Sequence, residues 1–306
     1  MADITTFGTI IFATSCKSAK RPAQQTHTMK NILGIDLGGT SIEGGRIESG
    51  NIVSYAKTET KASIGGETTI GLLKDLIAGL INEETAAIGI GVPSVVDRKK
   101  GIVYNVQNIA GWDEVPLKEI LEAEFGLPVF VDNDANCFAL GEKIFGEGKG
   151  FDHFVGATLG TGLGAGIIQN GRLLADANCG SGEFGEIPYM NGKLEDLCGS
   201  RFFTEVAGKS GYELSLEARG GNEEAKKMFD EYGRHLAYLV KIVVLTLDPQ
   251  AVIFGGSIAK SFDLFKDAIF ANLADFPYPK SIEKLTLLSS NKENSGILGA
   301  GALCLA

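Results

Sequence analysis

Ile32-Leu33-Gly34-Ile35-Asp36-Leu37-Gly38-Gly39-Thr40 predicts an apolar strand that delivers the carboxylate of Asp36 into a Gly-Gly turn. A second strand, predicted over 41–47, follows the turn, and a strand–glycine turn–strand unit of the same kind recurs at 153–169. Helices are predicted between and after these units at about 67–81, 116–125, 135–145 and 222–247. This alternation predicts an α/β fold, and the repeated unit indicates two related halves with a cleft between them.

The turn after the first strand has the features of a phosphate-binding site. Phosphate recognition needs several backbone N–H donors close to the ligand, and Gly38 and Gly39 let the backbone approach that closely. Thr40 adds a hydroxyl group, and Asp36 is placed to hold a magnesium ion through water. Taken alone, the same residues also fit an ordinary hairpin turn with a capping aspartate.

Two more glycine junctions follow predicted strands. Gly160-Thr161-Gly162 connects two strands, and it also begins a match to the dinucleotide-binding pattern G-x-G-x-x-A. That pattern has to open a helix, whereas a strand and an Asn170-Gly171 hairpin turn are predicted next. Gly255-Gly256-Ser257 opens a predicted helix, and the N–H groups of a helix N-terminus suit contact with a nucleotide. A tight connection capped by Ser257 is the simpler alternative there.

Polar residues cluster where the strand predicted at 128–131 ends. The segment Asp132-Asn133-Asp134-Ala135-Asn136 precedes a helix, and catalytic residues of α/β proteins tend to lie at the carboxyl ends of strands. An aspartate there can accept the proton of a substrate hydroxyl, whereas helix capping, the alternative, needs only one of these side chains. Glu183, Glu186 and Glu205 add carboxylates in a glycine-rich stretch that we expect to be irregular. Carboxylates accept hydrogen bonds from sugar hydroxyls, although isolated ones in loops are usually only solvated.

Composition restricts the classes of function. The chain has 306 residues, of which 44% are hydrophobic, enough for two domains with sizeable cores. The net charge of −10 argues against a nucleic-acid partner, and five scattered cysteines are typical of reduced thiols in the cytosol. No stretch is long and apolar enough to cross a membrane. We expect residues 1–28 to be a disordered extension, or to precede the natural start at Met29, rather than to form an export signal.

Together these motifs resemble the ROK family of bacterial repressors and sugar kinases, within the hexokinase–actin ATPase superfamily. The resemblance runs from about Lys30 to the C-terminus and depends on the order and spacing of the motifs. It implies an α/β fold of two actin-like (ribonuclease H-like) ATPase domains with a cleft between them. The first would comprise residues 30–134 with a C-terminal helix at about 296–306 packing back on it, and the larger second domain residues 135–295. The resemblance also implies a homodimer.

The motifs of the family imply roles for individual residues. Asp134 would be the catalytic base. The side chains implied for sugar binding are those of Asn108, Asn133, Asp134, Glu183, Glu186 and Glu205. The residues implied for binding the phosphates of ATP are Asp36, Gly38, Gly39, Thr40, Gly160, Thr161 and Gly162. The adenosine would contact Gly255, Gly256 and Ser257, and Asp36 would hold Mg²⁺ through water.

The chain departs from the family where its members carry a zinc site. Their Glu-x-Gly-His becomes Glu183-Phe184-Gly185-Glu186, so a glutamate replaces the histidine that lies near the sugar and binds zinc. Their Cys-x-Cys-Gly-x-x-Gly-Cys-x-Glu becomes the segment Asp196–Glu205, in which only Cys198 remains of the three cysteines and the closing glutamate is kept. One thiolate cannot build a tetrahedral structural zinc site, so no zinc is predicted. Loss of the histidine also leaves the identity of the sugar open.

The resulting prediction is a cytoplasmic kinase that uses ATP and Mg²⁺ to phosphorylate a hexose or hexose derivative, as a glucokinase does. Its partners would be the sugar and ATP, with no nucleic acid and no membrane. The alternatives are a sugar-binding sensor without catalysis and a transcriptional regulator, since the family includes sugar-sensing repressors. Those repressors carry a helix-turn-helix ahead of the first phosphate motif, and the 35 residues before Asp36 contain no basic recognition helix. The intact Asp134 and phosphate motifs favour the kinase over the sensor.

Overall fold

The structure, a computed structural model, describes residues 31–60, 65–106 and 109–306. The strands of the N-terminal half are β1 (Asn31–Leu37), β2 (Ser41–Glu48), β3 (Asn51–Glu59), β4 (Thr85–Val92), β5 (Val95–Asp97), β6 (Ile102–Tyr104), β7 (Glu114–Val115) and β8 (Val129–Asn133). Those of the C-terminal half are β9 (Phe154–Leu159), β10 (Leu163–Gln169), β11 (Arg172–Leu173), β12 (Pro188–Tyr189), β13 (Gly192–Lys193), β14 (Ala251–Gly255) and β15 (Thr286–Ser289). The α-helices are α1 (Gly66–Leu80), α2 (Leu117–Phe125), α3 (Asp134–Phe145), α4 (Leu194–Cys198), α5 (Arg201–Ala207), α6 (Gly211–Arg219), α7 (Glu223–Leu247), α8 (Phe262–Ala271), α9 (Pro279–Lys284) and α10 (Ser295–Ala302).

Two five-stranded sheets share one arrangement. The first sheet has the order β3-β2-β1-β4-β8, and the second has the order β11-β10-β9-β14-β15. In each sheet the first three strands are antiparallel, and the last two join in parallel. The repeated strand–glycine turn–strand unit of the sequence is therefore β1–β2 in one sheet and β9–β10 in the other.

Each sheet is covered by helices that bury an apolar face. The first sheet packs its buried residues, such as Ile35 and Ile90, against Leu73 and Ile77 of α1. The second sheet packs against α7, whose buried residues recur at helical spacing. They include Phe229, Tyr232, Leu236, Val240 and Val243. The side chain of Asn222 caps α7 by accepting hydrogen bonds from the N–H groups of Glu224 and Ala225, and Asp248, with a φ of 42°, ends it.

Helices α3 and α10 join the two halves. The backbone of α10 lies on the first sheet so closely that a Cβ at Gly34 of β1 would come 2.0 Å from the carbonyl oxygen of Ile297. The backbone of α3 lies equally close to the second sheet, where a Cβ at Gly166 would come 2.5 Å from the carbonyl oxygen of Ala135. The two helices meet at Gly299, where a Cβ would come 2.4 Å from the carbonyl oxygen of Cys137. Since α3 follows β8 without a loop, Asp134 lies at the junction of the two halves.

Most elements predicted from the sequence are confirmed, and several regions differ, among them α4, α6 and α9, where no helix is predicted. A three-stranded sheet, β5-β6-β7, was not predicted, because its strands have only two or three residues each. The helix expected from Ser257 begins with a short 3₁₀ turn before α8. The expectation of irregular structure is wrong at Glu205, which lies on α5. The domain boundaries inferred from the resemblance stay a prediction. Among the described residues, no helix combines the length and apolarity needed to span a membrane.

Candidate active site

Three parallel strands bring polar residues to one edge of the first sheet. In register, Asp36 of β1 lies opposite Gly91 of β4, and Gly91 lies opposite Asp132 of β8. All three positions are near the carboxyl ends of their strands, and neighbouring strands lie about 4.8 Å apart. The start of α3 packs directly against the middle of this row, since a Cβ at Gly91 would lie 3.3 Å from the Sγ of Cys137 and 3.7 Å from the Cα of Asp134. The sheet therefore gathers the predicted phosphate turn and the predicted base at one edge.

The predicted base opens a capped helix. Asn133 caps α3 through its Oδ1, which accepts hydrogen bonds from the N–H groups of Ala135 (2.9 Å) and Asn136 (3.4 Å). Its Nδ2 donates to the carbonyl oxygen of Ser94 at 3.2 Å. Capping is thus the first role of Asn133, and only the remaining Nδ2 proton is left for a sugar. Asp134 is the first residue of α3, and its carboxylate accepts a hydrogen bond from Ala135 at 2.8 Å.

The electrostatics around Asp134 suit a proton acceptor. The carboxylate is open to water on the side of the cleft, yet the surrounding protein desolvates it, and this effect with the charge of Asp36 raises the pKa of Asp134 from 3.8 to about 6. The charge of Glu183 raises it as well. Burial, with the charge of Glu43, also raises the pKa of Asp36 to about 6. A base with such a pKa is ionised at neutral pH and still binds a proton readily.

The first glycine turn is fixed by its neighbours and leaves Thr40 exposed. The N–H group of Gly38 donates to the carbonyl oxygen of Ser41 at 2.8 Å, and the hydroxyl of Thr60 donates to that of Gly38 at 2.9 Å. The carboxylate of Asp36 lies against the first turn of α10, because a Cβ at Gly296 would come within 2.1 Å of it. A preorganised turn of this kind fits the predicted contact with phosphate.

The second glycine turn lies between two other segments of the C-terminal half. The carboxylate of Glu195 accepts a hydrogen bond from the N–H group of Leu163 at 3.1 Å, and it fills the space where a Cβ of Gly162 would lie. On the other side, the N–H group of Ser200 donates to the carbonyl oxygen of Gly160 at 2.9 Å. A Cβ at Gly160 would meet open space, and Thr161 is exposed. The open face of the turn is therefore the one that carries Gly160 and Thr161.

The third glycine junction is brought against the second. Gly256 has a φ of 85°, and a Cβ there would come 2.4 Å from the carbonyl oxygen of Leu159, the residue before the second turn. Only glycine fits such a backbone beside another backbone. Gly255 lies opposite Thr158 in the parallel register of β14 and β9, and both Gly256 and Ser257 are exposed. Two motifs that are nearly a hundred residues apart in the sequence thus form one surface.

The side chains predicted to bind sugar are only partly brought together. Glu183 is near enough to Asp134 to raise its pKa, while its own pKa is raised by desolvation and by the charge of Glu186. Glu186 is exposed and pairs with Lys193 at 2.6 Å. Glu205 pairs with Arg201 on the exposed side of α5 at 2.8 Å, so its place in a sugar pocket stays a prediction.

Asn108 lies outside the described residues. Of the described residues on either side, Val106 donates its N–H group to the carbonyl oxygen of Trp112 at 3.0 Å. Trp112, the single tryptophan of the chain, is buried, and its Nε1 donates to the carbonyl oxygen of Gly66 at 3.2 Å.

The segment that aligns with the zinc motif is filled by apolar side chains. Phe203, at the position of a family cysteine, is fully buried against Phe229 and Tyr232. Cys198 is also buried, and desolvation raises the pKa of its thiol well above the usual range. In the ranges 31–60, 65–106 and 109–306, no group of three or more His, Cys, Asp or Glu side chains is placed to bind a metal ion. These residues do not fit a zinc site, and the absence of zinc from the protein stays a prediction.

Two functional candidates were not found from the sequence. Glu195 supports the second glycine turn, and Arg98 lies between Asp132 and Asp176, with its Nη1 3.6 Å from Asp132 and its Nη2 3.1 Å from Asp176. Neither belongs to a motif, and a charged residue after a short strand or in the first turn of a helix carries no local signal. Only the tertiary packing of β5 against β8, which belong to different sheets, could have pointed to Arg98.

Comparison with known proteins supports the assignment of these motifs to one family. The profile of the ROK family matches residues 32–306. The glucokinase of Thermotoga maritima is 32% identical over 305 residues, which cover 89% of this chain and 96% of that protein. A ROK family glucokinase from Streptomyces griseus, solved in complex with glucose and AMPPNP, superposes with a TM-score of 0.76 at 28% identity, covering 89% of this chain and 98% of the other. The xylose repressor of Bacillus spizizenii is 26% identical, with 89% of this chain and 76% of the repressor covered. The fold is therefore the two-domain actin-like ATPase fold.

Proposed function

Because the chain belongs to the ROK family, we propose that it transfers the γ-phosphoryl group of ATP to a hydroxyl group of a hexose or hexose derivative. The observation that supports this proposal best is the position of Asp134. Asp134 is the first residue of α3, at the junction of the two halves. Its carboxylate is exposed on the side of the cleft and has a pKa of about 6. The carboxylate of Asp36, near the end of β1 and just before the first glycine turn, is close enough to act on that pKa.

In the proposed reaction Asp134 is the general base. The sugar hydroxyl gives its proton to the Asp134 carboxylate while its oxygen forms a bond to the γ-phosphorus. The bond between that phosphorus and the β–γ bridging oxygen breaks, and ADP leaves with the electron pair. Charge in the transition state spreads over the phosphoryl oxygens, where the backbone N–H groups of residues 39–40 and 161–162 would stabilise it, since those of Gly38 and Gly160 donate within their own turns. Closure of the two halves would exclude water and limit hydrolysis of ATP.

The residues at this edge fit a magnesium ion that arrives with ATP. Asp36 and Asp134 are carboxylates, the ligand type that Mg²⁺ prefers, and the charge of Asp36 disfavours ionisation of Asp134 when no cation is present. Asp36 would hold the ion through water. When bound, Mg²⁺ supplies positive charge that offsets the charge of the phosphate oxygens.

The sugar side of the site is proposed from the loop that carries Glu183. Glu183 is exposed in the loop that ends in the 3₁₀ turn Phe184–Glu186, and its charge acts on Asp134. We assign it to the hydroxyl groups of the sugar, with Asn108, Asn133 and Glu205 as further contacts inferred from the family motifs. Glu186, where relatives carry histidine, is paired with Lys193, so the pocket presents an ion pair at this place. A change in the sugar that is accepted is the expected consequence.

One assay tests the proposal and identifies the substrate. ADP release from magnesium-ATP would be measured with a panel of hexoses and N-acetylhexosamines, for the wild type and for Asp134→Asn. One sugar that supports turnover in the wild type, reduced about 10²–10⁴-fold in the variant, is the expected result. Binding of the same sugars, followed by fluorescence of Trp112 and by calorimetry, without any turnover, would contradict the kinase proposal.

A regulator or sensor without catalysis is the second candidate, and one observation favours it: a xylose repressor is among the similar proteins. The same panel separates the two candidates. A sensor binds sugar with no need for ATP and shows no turnover with any sugar of the panel. A kinase shows turnover that depends on Asp134.

A further inference from the structure

Arg98 connects the two halves of the molecule beside the proposed catalytic turn. It lies in the tight turn between β5 and β6, where the N–H group of Gly101 donates to the carbonyl oxygen of Asp97 at 2.6 Å. Its Nη2 donates to the carbonyl oxygen of Leu174 at 2.7 Å and to the carboxylate of Asp176 at 3.1 Å. The side chain is 23% exposed, so most of the guanidinium is removed from water and its ion pairs are less screened than those at the surface.

On its other side Arg98 faces the strand that leads to Asp134. The Nη1 of Arg98 lies 3.6 Å from Oδ2 of Asp132, a side chain that is 3% exposed. That oxygen is buried and accepts no hydrogen bond within the described part of the chain, so Arg98 supplies its neutralising charge. The other oxygen of Asp132 accepts hydrogen bonds from the N–H group of Asn133 at 2.7 Å and from Nδ2 of Asn136 at 2.9 Å. Asp132 therefore holds the residues on either side of Asp134.

Asp176 is connected by a hydrogen bond to the loop that carries Glu183. Its second oxygen accepts a hydrogen bond from the hydroxyl of Ser181 at 3.1 Å, two residues before Glu183. One guanidinium thus bridges the turn that carries the proposed base and the loop that carries the proposed sugar ligand. Arginine suits this position because its planar group can serve two carboxylates and a carbonyl at once, which the ammonium of lysine cannot do with the same geometry.

We propose that Arg98 is a positioning residue that holds the Glu183 loop of the second half in register with the Asp134 turn of the first. This inference rests on the proposed function for the roles of Asp134 and Glu183. Arg98 itself does not touch the reacting atoms. Its contribution is that the sugar ligand and the base are held at one fixed distance when the sugar is bound, which reactions of bound substrates require.

The bridge predicts an unequal effect on the two substrates. Asp176 and Ser181 hold the sugar side, whereas the second and third glycine turns, which are proposed for ATP, are held by Glu195, Ser200 and Leu159 instead. Arg98→Ala should therefore raise the KM for the sugar about 10-fold or more and lower kcat, while the KM for ATP changes less than about threefold. Asp176→Asn should raise the KM for the sugar with a smaller effect on kcat, because Asp132 keeps its partner.

The test combines kinetics with hydrogen exchange. The variants are Arg98→Ala, Asp176→Asn and the double variant, with Arg219→Ala, which removes a surface ion pair to Asp263, as a matched control. Amide exchange should speed up in both 132–136 and 174–183 for Arg98→Ala and in neither segment for the control. The losses in kcat/KM of the two single changes should not add in the double variant, since both break one bridge. Guanidinium ion added to Arg98→Ala should restore part of kcat.

The outcomes separate this inference from the proposed function. A wild type that is silent on every sugar contradicts the kinase proposal, and the exchange experiment still decides the bridge. A wild type that turns over, with faster exchange confined to the β5–β6 turn, additive kinetic losses, or equal increases in both KM values, would overturn the role of Arg98. Should Arg98→Ala fail to fold, Asp176→Asn carries the same comparison of KM values and exchange.

Discussion

The replacement Asp134→Asn should stabilise the protein while it abolishes most turnover. The native carboxyl binds its proton at a pKa of about 6, and the unfolded chain does so near 3.8. The native state therefore binds more protons across this window, and the contribution of Asp134 to the free energy of unfolding falls as pH rises from about 4 to above 6. Asparagine carries no charge at any pH, so it escapes this cost. Its Oδ1 can still accept the hydrogen bond that Ala135 donates at 2.8 Å.

The size of the gain follows from the pKa difference. Roughly two pKa units correspond to about 3 kcal/mol at neutral pH. Because the carboxylate is open to water on the side of the cleft, solvent screening reduces this figure to about 1 to 1.5 kcal/mol. For a chain of this size, that gain raises the midpoint of thermal unfolding by about 1.5–2.5 °C.

Thermal unfolding of both proteins at pH 7.5, 5 and 4 checks this expectation. The difference in midpoint should be largest at pH 7.5, shrink to about half at pH 5 and nearly vanish at pH 4. An exposed aspartate on α7, changed in Asp230→Asn, serves as the control and should show no such trend. If Asp134→Asn is less stable than the wild type at pH 7.5, or if its gain does not depend on pH, the electrostatic reasoning about this carboxylate is refuted.

Three further predictions follow from the same geometry. In the pH profile of kcat/KM, activity should fall up to tenfold per unit below about pH 6, as Asp134 is protonated; a profile flat to pH 5 would count against this base. Gly160→Ala, which adds a methyl group in open space, should keep the unfolding midpoint and raise the KM for ATP, whereas Gly256→Ala, at a φ of 85°, should also lose about 1–3 kcal/mol of stability. Equal unfolding midpoints for the two variants would contradict the packing at Gly256. Protein purified without added metal should contain less than about 0.1 equivalent of zinc by mass spectrometry, and a zinc chelator should leave its activity with excess Mg²⁺ unchanged; one equivalent would show that Cys198 has partners after all.

Local patterns in the sequence predicted the framework of the site well. The apolar strand before Asp36 and the helix after Asn133 carry their own signals, which are alternation, glycine punctuation and a capping residue. Those local signals do not bring Asp36 and Asp134 together; the aligned carboxyl ends of the parallel strands in the folded sheet do. Their separation along the chain is nearly a hundred residues, and the register of β1, β4 and β8 closes it.

The parts that were missed depend on contacts between distant side chains. Arg98 is bonded to Leu174 and Asp176, which lie 76 and 78 positions further along the chain. Nothing near Arg98 in the sequence distinguishes it from the two lysines that follow it. Glu205 shows the opposite limit. Its motif position implied a sugar ligand in an irregular stretch, while the structure places it on α5 in an ion pair with Arg201. Whether that pair opens for a sugar depends on the ligand and not on local sequence.

The most direct test of the central claim is single-turnover transfer of the γ-phosphoryl group to the sugar selected by the panel, compared between the wild type and Asp134→Asn. Sugar affinity would be measured in parallel by calorimetry. We expect the variant to bind the sugar within about threefold of the wild type and to form the sugar phosphate at least 10²-fold more slowly. Near-normal transfer by Asp134→Asn would show that Asp134 is not the base.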